Sequence, residues 1–204
     1  GRRGAGLAAL GASAARVRLQ RCDAATAGDR AVVTAANGPN AVVHAGGVLA
    51  DATLVQQRAS GGRQVFAAKV DSLGTLVQAT HANAVSAQVL FSSLAAFLGS
   101  PGQSNYCAAN AALDAAAHAA HASGERVLSL QWGAWIGGGM ATNDASTIGR
   151  MERAGVGVVT PELGLAVLGG ALSSLLRASA PAGALLTVRR FDWTRFLEQQ
   201  PAYE

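Results

Sequence analysis

Four polar side chains in the middle of the chain have the types needed for proton transfer to a carbonyl group: Lys69, Ser93, Tyr106 and Asn110. A phenol such as that of Tyr106 can deliver a proton to a carbonyl oxygen while hydride adds to the carbon. The ammonium of Lys69 favours the phenolate that remains, and the Ser93 hydroxyl can bind the oxygen as negative charge develops on it. Asn110 can orient Lys69 or a proton-relay water. Together these residue types could serve proton transfer at a carbonyl oxygen.

Each of these side chains also has an ordinary structural interpretation. A serine that ends a strand is commonly a turn or helix cap, and a tyrosine that opens an alanine-rich helix is commonly a packing residue. Two facts of composition favour chemistry. Tyr106 is one of two tyrosines, the other being Tyr203, and Lys69 is the only lysine beside fifteen arginines. In a chain that otherwise uses arginine, this lysine indicates that a compact ammonium is needed there.

Other groupings of reactive residues predict less. His118 and His121 lie one helical turn apart, but no carboxylate or thiol is spaced to join them, so we expect a solvated helix face and no metal. Cys22 and Cys107 are far apart, which suggests neither a metal pair nor a disulfide framework and favours a reducing compartment. No Gly-x-Ser-x-Gly sequence is present to support a serine hydrolase.

Strands and helices must alternate to position the four polar residues. Apolar runs predict strands at 16–22, 41–47, 88–93, 127–132 and 184–188. Helical patterns fall between them at 64–82, at 105–123 and from Pro161 onward. This alternation predicts an α/β fold, a doubly wound parallel sheet with helices on both faces. Ligands bind beyond the carboxyl ends of such strands, so the loops after Gly46, Ser93 and Trp132 should converge on one site.

The composition supports one globular domain over residues 1–204. Half of the 204 residues are apolar and 14% are charged, which is enough to bury one continuous core. The formal net charge of +4 comes from scattered basic residues, so nucleic-acid binding has no specific support. The most apolar stretch, residues 163–176, is too short to cross a bilayer, and we expect no membrane span.

The glycine-rich turn typical of dinucleotide-binding domains is missing. No Gly-x-Gly-x-x-Gly sequence occurs in the chain, and the start at Gly1-Arg2-Arg3-Gly4 has no initiator methionine. We therefore expect an N-terminally truncated fold that lacks its first β-α-β cofactor-binding unit. Such a chain should have little or no activity by itself. Residues 192–204 are expected to form a tail toward a following segment.

The segment 90–115 resembles the ketoreductases of modular polyketide synthases, a branch of the short-chain dehydrogenases. In that branch a tyrosine comes 13 residues after a serine and an asparagine follows four residues later, as Ser93, Tyr106 and Asn110 do here. The branch places its lysine upstream in a Lys-Val-Asp sequence, which Lys69-Val70-Asp71 matches. Further matching segments are 44–49, 132–135, 139–141 and 192–196. The resemblance implies a Rossmann-like fold and a catalytic role for all four polar residues.

The resemblance also implies a nicotinamide cofactor, NADPH. Arg2 or Arg3 falls where these enzymes place an arginine on the 2′-phosphate, and a guanidinium suits that phosphate well. Asp23 is similar to a residue that meets the adenine, and Ala45 and Gly46 are similar to the turn beside the cofactor. These five residues are the expected cofactor-binding set.

Stereochemistry follows from the same resemblance. The branch that forms the D-configured hydroxyl, called B-type, carries Leu-Asp-Asp near the third loop and lacks a tryptophan eight residues before the tyrosine. This chain has Leu-Ala-Asp at 49–51, which departs from the pattern at Ala50, and Leu98 at the tryptophan position. The D-hydroxy product is therefore expected. The residues implied to meet the substrate or control its orientation are Asp51, Leu98, Pro101, Trp132 and Met140.

The implied reaction is the NADPH-dependent reduction of a β-ketoacyl thioester to the β-hydroxyacyl thioester. The implied partners are an acyl carrier protein, which holds the substrate on phosphopantetheine, and neighbouring domains of a megasynthase. Two alternatives stay open: a ketoreductase of fatty-acid biosynthesis or of another short-chain dehydrogenase system, and a noncatalytic structural domain of a megasynthase. The expected location is the cytoplasm.

Overall fold

Four short apolar strands form the central sheet of the computed structural model, which describes residues 21–26, 40–80, 85–137, 145–177 and 183–198. The strands are β1 (Ala41–His44), β2 (Ala87–Ser93), β3 (Val127–Trp132) and β4 (Leu185–Val188). They lie in the order β1-β2-β3-β4, and each neighbouring pair is parallel. Every residue of β3 is buried, as expected for a strand that helices cover on both faces. The predicted α/β class and parallel sheet are confirmed.

Helices cover both faces of this sheet. They are α1 (Ala59–Phe66), α2 (Ser72–Thr80), α3 (Ala95–Leu98), α4 (Ser104–Ala122), α5 (Ala145–Arg153), α6 (Pro161–Arg177) and α7 (Trp193–Glu198), with a 3-10 turn at Leu54–Gln56. Leu73 of α2 and Leu113 of α4 pack with Leu90 on one face. Leu175 of α6 packs with Val89 on the other. Within the described ranges no helix is long and apolar enough to cross a membrane.

One helix departs from its predicted form. The sequence predicts a helix at 64–82, but helical residues begin at Ala59, and a π-helical turn at Ala67–Asp71 separates α1 from α2. The Gly61-Gly62 pair explains the late predicted start, because glycine is a poor helix former. A π turn widens the helix locally and is frequent at functional sites. Here it contains Lys69.

The other predicted elements agree with the structure to within a residue or a few residues. The predicted strand at 16–22 falls mostly outside the described residues. The strand predicted at 41–47 ends at His44, and the helix predicted at 105–123 is α4. The segment predicted as a tail begins with α7, and the Asp192 amide donates to the Gly155 carbonyl at 2.9 Å.

Candidate active site

Lys69 lies in the π turn and points into the protein. Its side chain is 2% exposed. The ammonium donates to the backbone carbonyl of Phe91 in β2 at 2.7 Å and lies 5.6 Å from the centre of the Tyr106 ring. Since Ser93 is two residues beyond Phe91 on the same strand, Lys69, Ser93 and Tyr106 meet at the carboxyl end of β2. The predicted catalytic residues are therefore neighbours in space.

Tyr106 stands in the first turn of α4 and is nearly buried, packed with Val65 and Ala109. Burial raises the pKa of the Tyr106 phenol, and interactions with the side chains of Ser93 and Asn110 lower it in part. In the protein alone, the desolvation of the phenol is the largest of these effects. The expected role of Lys69, to favour the phenolate after the proton has left, stays a prediction.

Asn110 comes one helical turn after Tyr106 and is fully buried. Its side-chain NH₂ group donates to the backbone carbonyl of Tyr106 at 2.8 Å. The backbone carbonyl of Asn110 accepts from the Ser92 hydroxyl at 3.3 Å. The Oδ1 atom of Asn110 is buried without a hydrogen-bond donor in the described part of the chain. This orphaned acceptor suits a water or the Lys69 ammonium, so the predicted orienting role stays a prediction.

The Lys69 ammonium is destabilised by its surroundings. Burial lowers the pKa of Lys69 from 10.5 to about 8, and the negative charge of Asp114 opposes this shift. A lysine with a pKa near neutrality is sensitive to small changes in nearby charge. Asp114 was not singled out from the sequence, because an aspartate in an alanine-rich helix looks like a solvated residue.

A cleft lies beyond the carboxyl end of β1. It has a volume of about 390 Å³, and its lining includes Asp23, Ala45 and Gly46. A Cβ atom built on Gly46 would be 2.8 Å from the Ala68 carbonyl oxygen, so this turn approaches the π segment as only glycine allows. Three of the five predicted cofactor residues line this cleft. Arg2 and Arg3 lie outside the described residues.

His44 and Ser72 join the floor of this cleft to the Lys69 segment. The Ser72 hydroxyl donates to the Ala68 carbonyl at 2.8 Å, so it must accept from His44 Nε2 at 2.6 Å. This leaves His44 Nδ1 buried without a partner among the described residues. Burial lowers the pKa of His44, so the ring is neutral. Neither His44 nor Ser72 was identified as functional from the sequence.

The loop with the predicted stereocontrol residues is tied to the start of α4. Gln103 donates to the Asp51 carboxylate at 3.0 Å, and Asn105 donates to the Ala50 carbonyl at 2.8 Å. Pro101 stands next to Gly102, which adopts a positive φ of 76° that favours glycine. Gln103 and Asn105 could not be predicted from the sequence, because their partners lie about fifty positions away in the chain.

Trp132 and Leu98 have different surroundings. Trp132 is buried in the core, with its ring 5.3 Å from Phe91 and 4.9 Å from Trp135. The ring therefore packs in the core, and its predicted contact with substrate stays a prediction. Leu98 is 42% exposed and lines a second, largely apolar cavity of about 360 Å³ with Phe97. Met140 lies outside the described residues.

Comparisons with known proteins agree with this arrangement. A family model described as KR domain matches residues 2–137. Polyketide synthase GfsB of Streptomyces halstedii is 39% identical over 201 residues, which cover 95% of this chain and 3% of that protein. The solved first ketoreductase of the tylosin polyketide synthase is 36% identical with a TM-score of 0.74, covering 87% of this chain and 37% of that chain. A solved A-type ketoreductase from a modular polyketide synthase is 33% identical with a TM-score of 0.79, and the match covers 98% of this chain and 42% of that chain.

This chain therefore spans less than half of each of these two ketoreductase structures. Proteins of this kind are oxidoreductases that use a nicotinamide cofactor, and the cleft beside Gly46 fits one. The same family is indicated by the fold, by the matched family model and by the cluster of Ser93, Tyr106 and Lys69. The chain belongs to the ketoreductase domains of modular polyketide synthases, within the short-chain dehydrogenase superfamily.

Proposed function

We propose that this domain reduces a β-ketoacyl thioester, held by an acyl carrier protein on phosphopantetheine, to the β-hydroxyacyl thioester with NADPH. The observation that carries the proposal is the meeting of Lys69, Ser93 and Tyr106 at the carboxyl end of β2. In doubly wound folds this edge of the sheet is where ligands bind.

The side chains divide the work at the substrate oxygen. The Ser93 hydroxyl donates to the oxygen, and Tyr106 gives it a proton as negative charge accumulates. When bound, the cofactor supplies the hydride. Lys69 stabilises the phenolate that Tyr106 leaves behind, and the free Oδ1 of Asn110 orients a water that returns a proton to Tyr106.

The test is the Tyr106→Phe variant in the full-length gene product that carries this chain. Loss of the acid should lower the rate of NADPH oxidation with a carrier-bound β-ketoacyl thioester by about 100-fold or more. The matched control is Tyr203→Phe, which alters the second tyrosine of these 204 residues and should keep full activity. Undiminished turnover by the Tyr106→Phe variant would exclude the proposed mechanism.

Recognition of NADPH is a separate part of the proposal. Arg2 and Arg3 are the side chains we assign to the 2′-phosphate, because a guanidinium binds phosphate through paired hydrogen bonds. Replacing both by serine should reduce kcat/KM for NADPH by about 10-fold or more and leave kcat/KM for NADH nearly unchanged. An equal loss with both cofactors would contradict this assignment.

We further propose the D-hydroxy product and an acyl carrier protein as partner. Asp51, Leu98 and Pro101 support the stereochemical choice, and chiral chromatography of the released hydroxy acid tests it.

A higher kcat/KM for free small ketones than for carrier-bound substrate would favour another short-chain dehydrogenase function. Failure to bind NADPH would favour a noncatalytic domain. Neighbouring synthase domains and a cytoplasmic location complete the proposal.

A further inference from the structure

Two side chains of opposite charge are buried near the candidate active site. Lys69 is 2% exposed and Asp114 is 7% exposed. Burying a charge is costly unless an opposite charge or several hydrogen bonds compensate for it. Within the described part of the chain, neither side chain forms a direct ion pair. The cost of burying each charge must therefore be offset by hydrogen bonds or by a charge that is not in direct contact.

Asp114 lies on the same face of α4 as the catalytic residues. It follows Asn110 by four residues and Tyr106 by eight, which places all three along one side of the helix. Its carboxylate accepts from the Ser129 hydroxyl at 2.7 Å and from the Gln131 amide at 2.8 Å. Both donors are neutral, so they fix the position of the carboxylate and leave its negative charge in place.

The sheet register places Lys69 and Asp114 over adjacent strands. The Lys69 ammonium bonds the Phe91 carbonyl, and Phe91 pairs with Leu130 of β3. Leu130 stands between Ser129 and Gln131, the two residues that hold Asp114. Neighbouring strands are about 4.8 Å apart, so this register places the two side chains over adjacent strands, where the charge of Asp114 acts on Lys69.

We propose that Asp114 is the buried counter-charge that keeps the Lys69 side chain an ammonium beside Tyr106. Three titratable groups of the described chain face Lys69: Tyr106 and Asp114 from α4, and His44 from β1. Burial keeps both the Tyr106 phenol and the His44 ring in their neutral forms. Asp114 is then the charged member of the three and raises the pKa of Lys69 against the effect of burial.

Asp114 is a positioning residue in this proposal, because it acts on the reaction through Lys69. The functional part rests on the proposed ketoreductase activity, whereas the effect on Lys69 does not. The two can be tested separately, because Lys69 is the only lysine of the chain. Lysine labelled with ¹³C at Cε therefore gives the signals of a single side chain, and its pH titration reports the protonation of Lys69 directly.

The decisive variant is Asp114→Asn in the 204-residue chain. The new amide can accept from Gln131 and donate to the Ser129 hydroxyl, which can serve as an acceptor, so the contacts survive while the charge is lost. The midpoint of the Lys69 titration should fall by roughly one unit. Where this variant does not fold, Asp114→Ser removes the same charge with a smaller side chain.

The matched control is Ser129→Ala, which removes one hydrogen bond to Asp114 and keeps the carboxylate. It should leave the Lys69 midpoint within a few tenths of a unit of the original. An unchanged midpoint in Asp114→Asn, or an equal fall in Ser129→Ala, would overturn the proposal. In the full-length gene product, the alkaline limb of the pH profile of kcat/KM should move downward with Asp114→Asn. Absence of turnover in the unaltered protein would contradict the proposed function and leave the NMR result valid.

Discussion

Lys69 donates a hydrogen bond to the carbonyl of Phe91, 22 residues further along the chain, at 2.7 Å. This bond attaches the π turn to β2 next to the strand end that carries Ser93. A lysine suits the position because its ammonium is compact, whereas the planar guanidinium of arginine requires several acceptors. A single carbonyl thus fixes the ammonium close to the Tyr106 ring.

Lys69 should make the stability of the protein depend on pH. Its pKa is about 8 in the folded protein and 10.5 for a free lysine side chain, so the unfolded chain binds more protons between these values. Stability therefore rises with pH through this window. The Lys69→Met variant lacks this group. Relative to this variant, the original protein should gain about 2 kcal/mol in free energy of unfolding between about pH 7 and about pH 9.5.

Urea denaturation at the two pH values measures this difference, and the other titrating groups cancel in the subtraction. A difference that stays constant with pH would show that Lys69 titrates at an ordinary value in the folded protein.

Gly46 should not tolerate a side chain. A Cβ atom there would be 2.8 Å from the Ala68 carbonyl oxygen, a backbone atom of the π segment that cannot rotate away. Gly46→Ala should lower the free energy of unfolding by about 1–3 kcal/mol because the turn and the π segment must move apart. It should also weaken binding of NADPH, measured by fluorescence titration in the full-length gene product, because Gly46 lines the cleft.

The matched control for Gly46→Ala is Gly62→Ala in α1. A Cβ atom at Gly62 would meet no atom within 4 Å. Alanine is the better helix former, so this variant should gain up to about 1 kcal/mol in stability. An equal change in stability for the two variants would show that the close approach of Gly46 to Ala68 does not restrict the side chain at position 46.

The fold could be predicted from the sequence because its signal is local. Apolar runs such as 127–132 are bounded by turns, and their alternation with helices leaves few alternatives to a parallel sheet. Ser93, Tyr106 and Asn110 were found because their spacing lies within one strand, loop and helix. The predicted parallel sheet is therefore confirmed, whereas the catalytic roles of these three residues stay predictions.

Contacts between distant segments could not be predicted in this way. The bond between His44 and Ser72 joins residues 28 positions apart, and that between Gln131 and Thr187 joins residues 56 apart. The burial of Asp114 depends on the pairing of α4 with β3. The packing of Trp132 against Phe91 and Trp135 could not be predicted either, because only the packed sheet decides to which face a buried strand residue points.

Ser72 should stabilise the cleft through His44. Its hydroxyl is the only hydrogen-bond partner of His44 Nε2 among the described residues, and both side chains are buried. Ser72→Ala would leave that N–H buried without an acceptor, so the free energy of unfolding should fall by about 1–3 kcal/mol. Ser123→Ala removes an exposed hydroxyl that donates to the Ala119 carbonyl and should change stability by less than about 0.5 kcal/mol. Chemical denaturation compares them, and a similar small change in both would refute the role of Ser72.

Gly164 should be required for the packing of α6 against the loop after β3. A Cβ atom at Gly164 would overlap the indole ring of Trp135. That ring cannot easily move, because it packs 4.9 Å from Trp132 and its backbone pairs with Val159. Gly164→Ala should therefore lower the free energy of unfolding by about 1–3 kcal/mol, although alanine favours helix.

Gly169 lies in the same helix and gives the matched comparison. A Cβ atom there would meet nothing within 4 Å, so Gly169→Ala should raise stability by up to about 1 kcal/mol. The two variants make the same chemical change on the same helix, and only the contact with Trp135 differs between them. Thermal unfolding should therefore move in opposite directions. If Gly164→Ala also raises the melting temperature, then Trp135 is free to move, and the loop after β3 is not held by this contact.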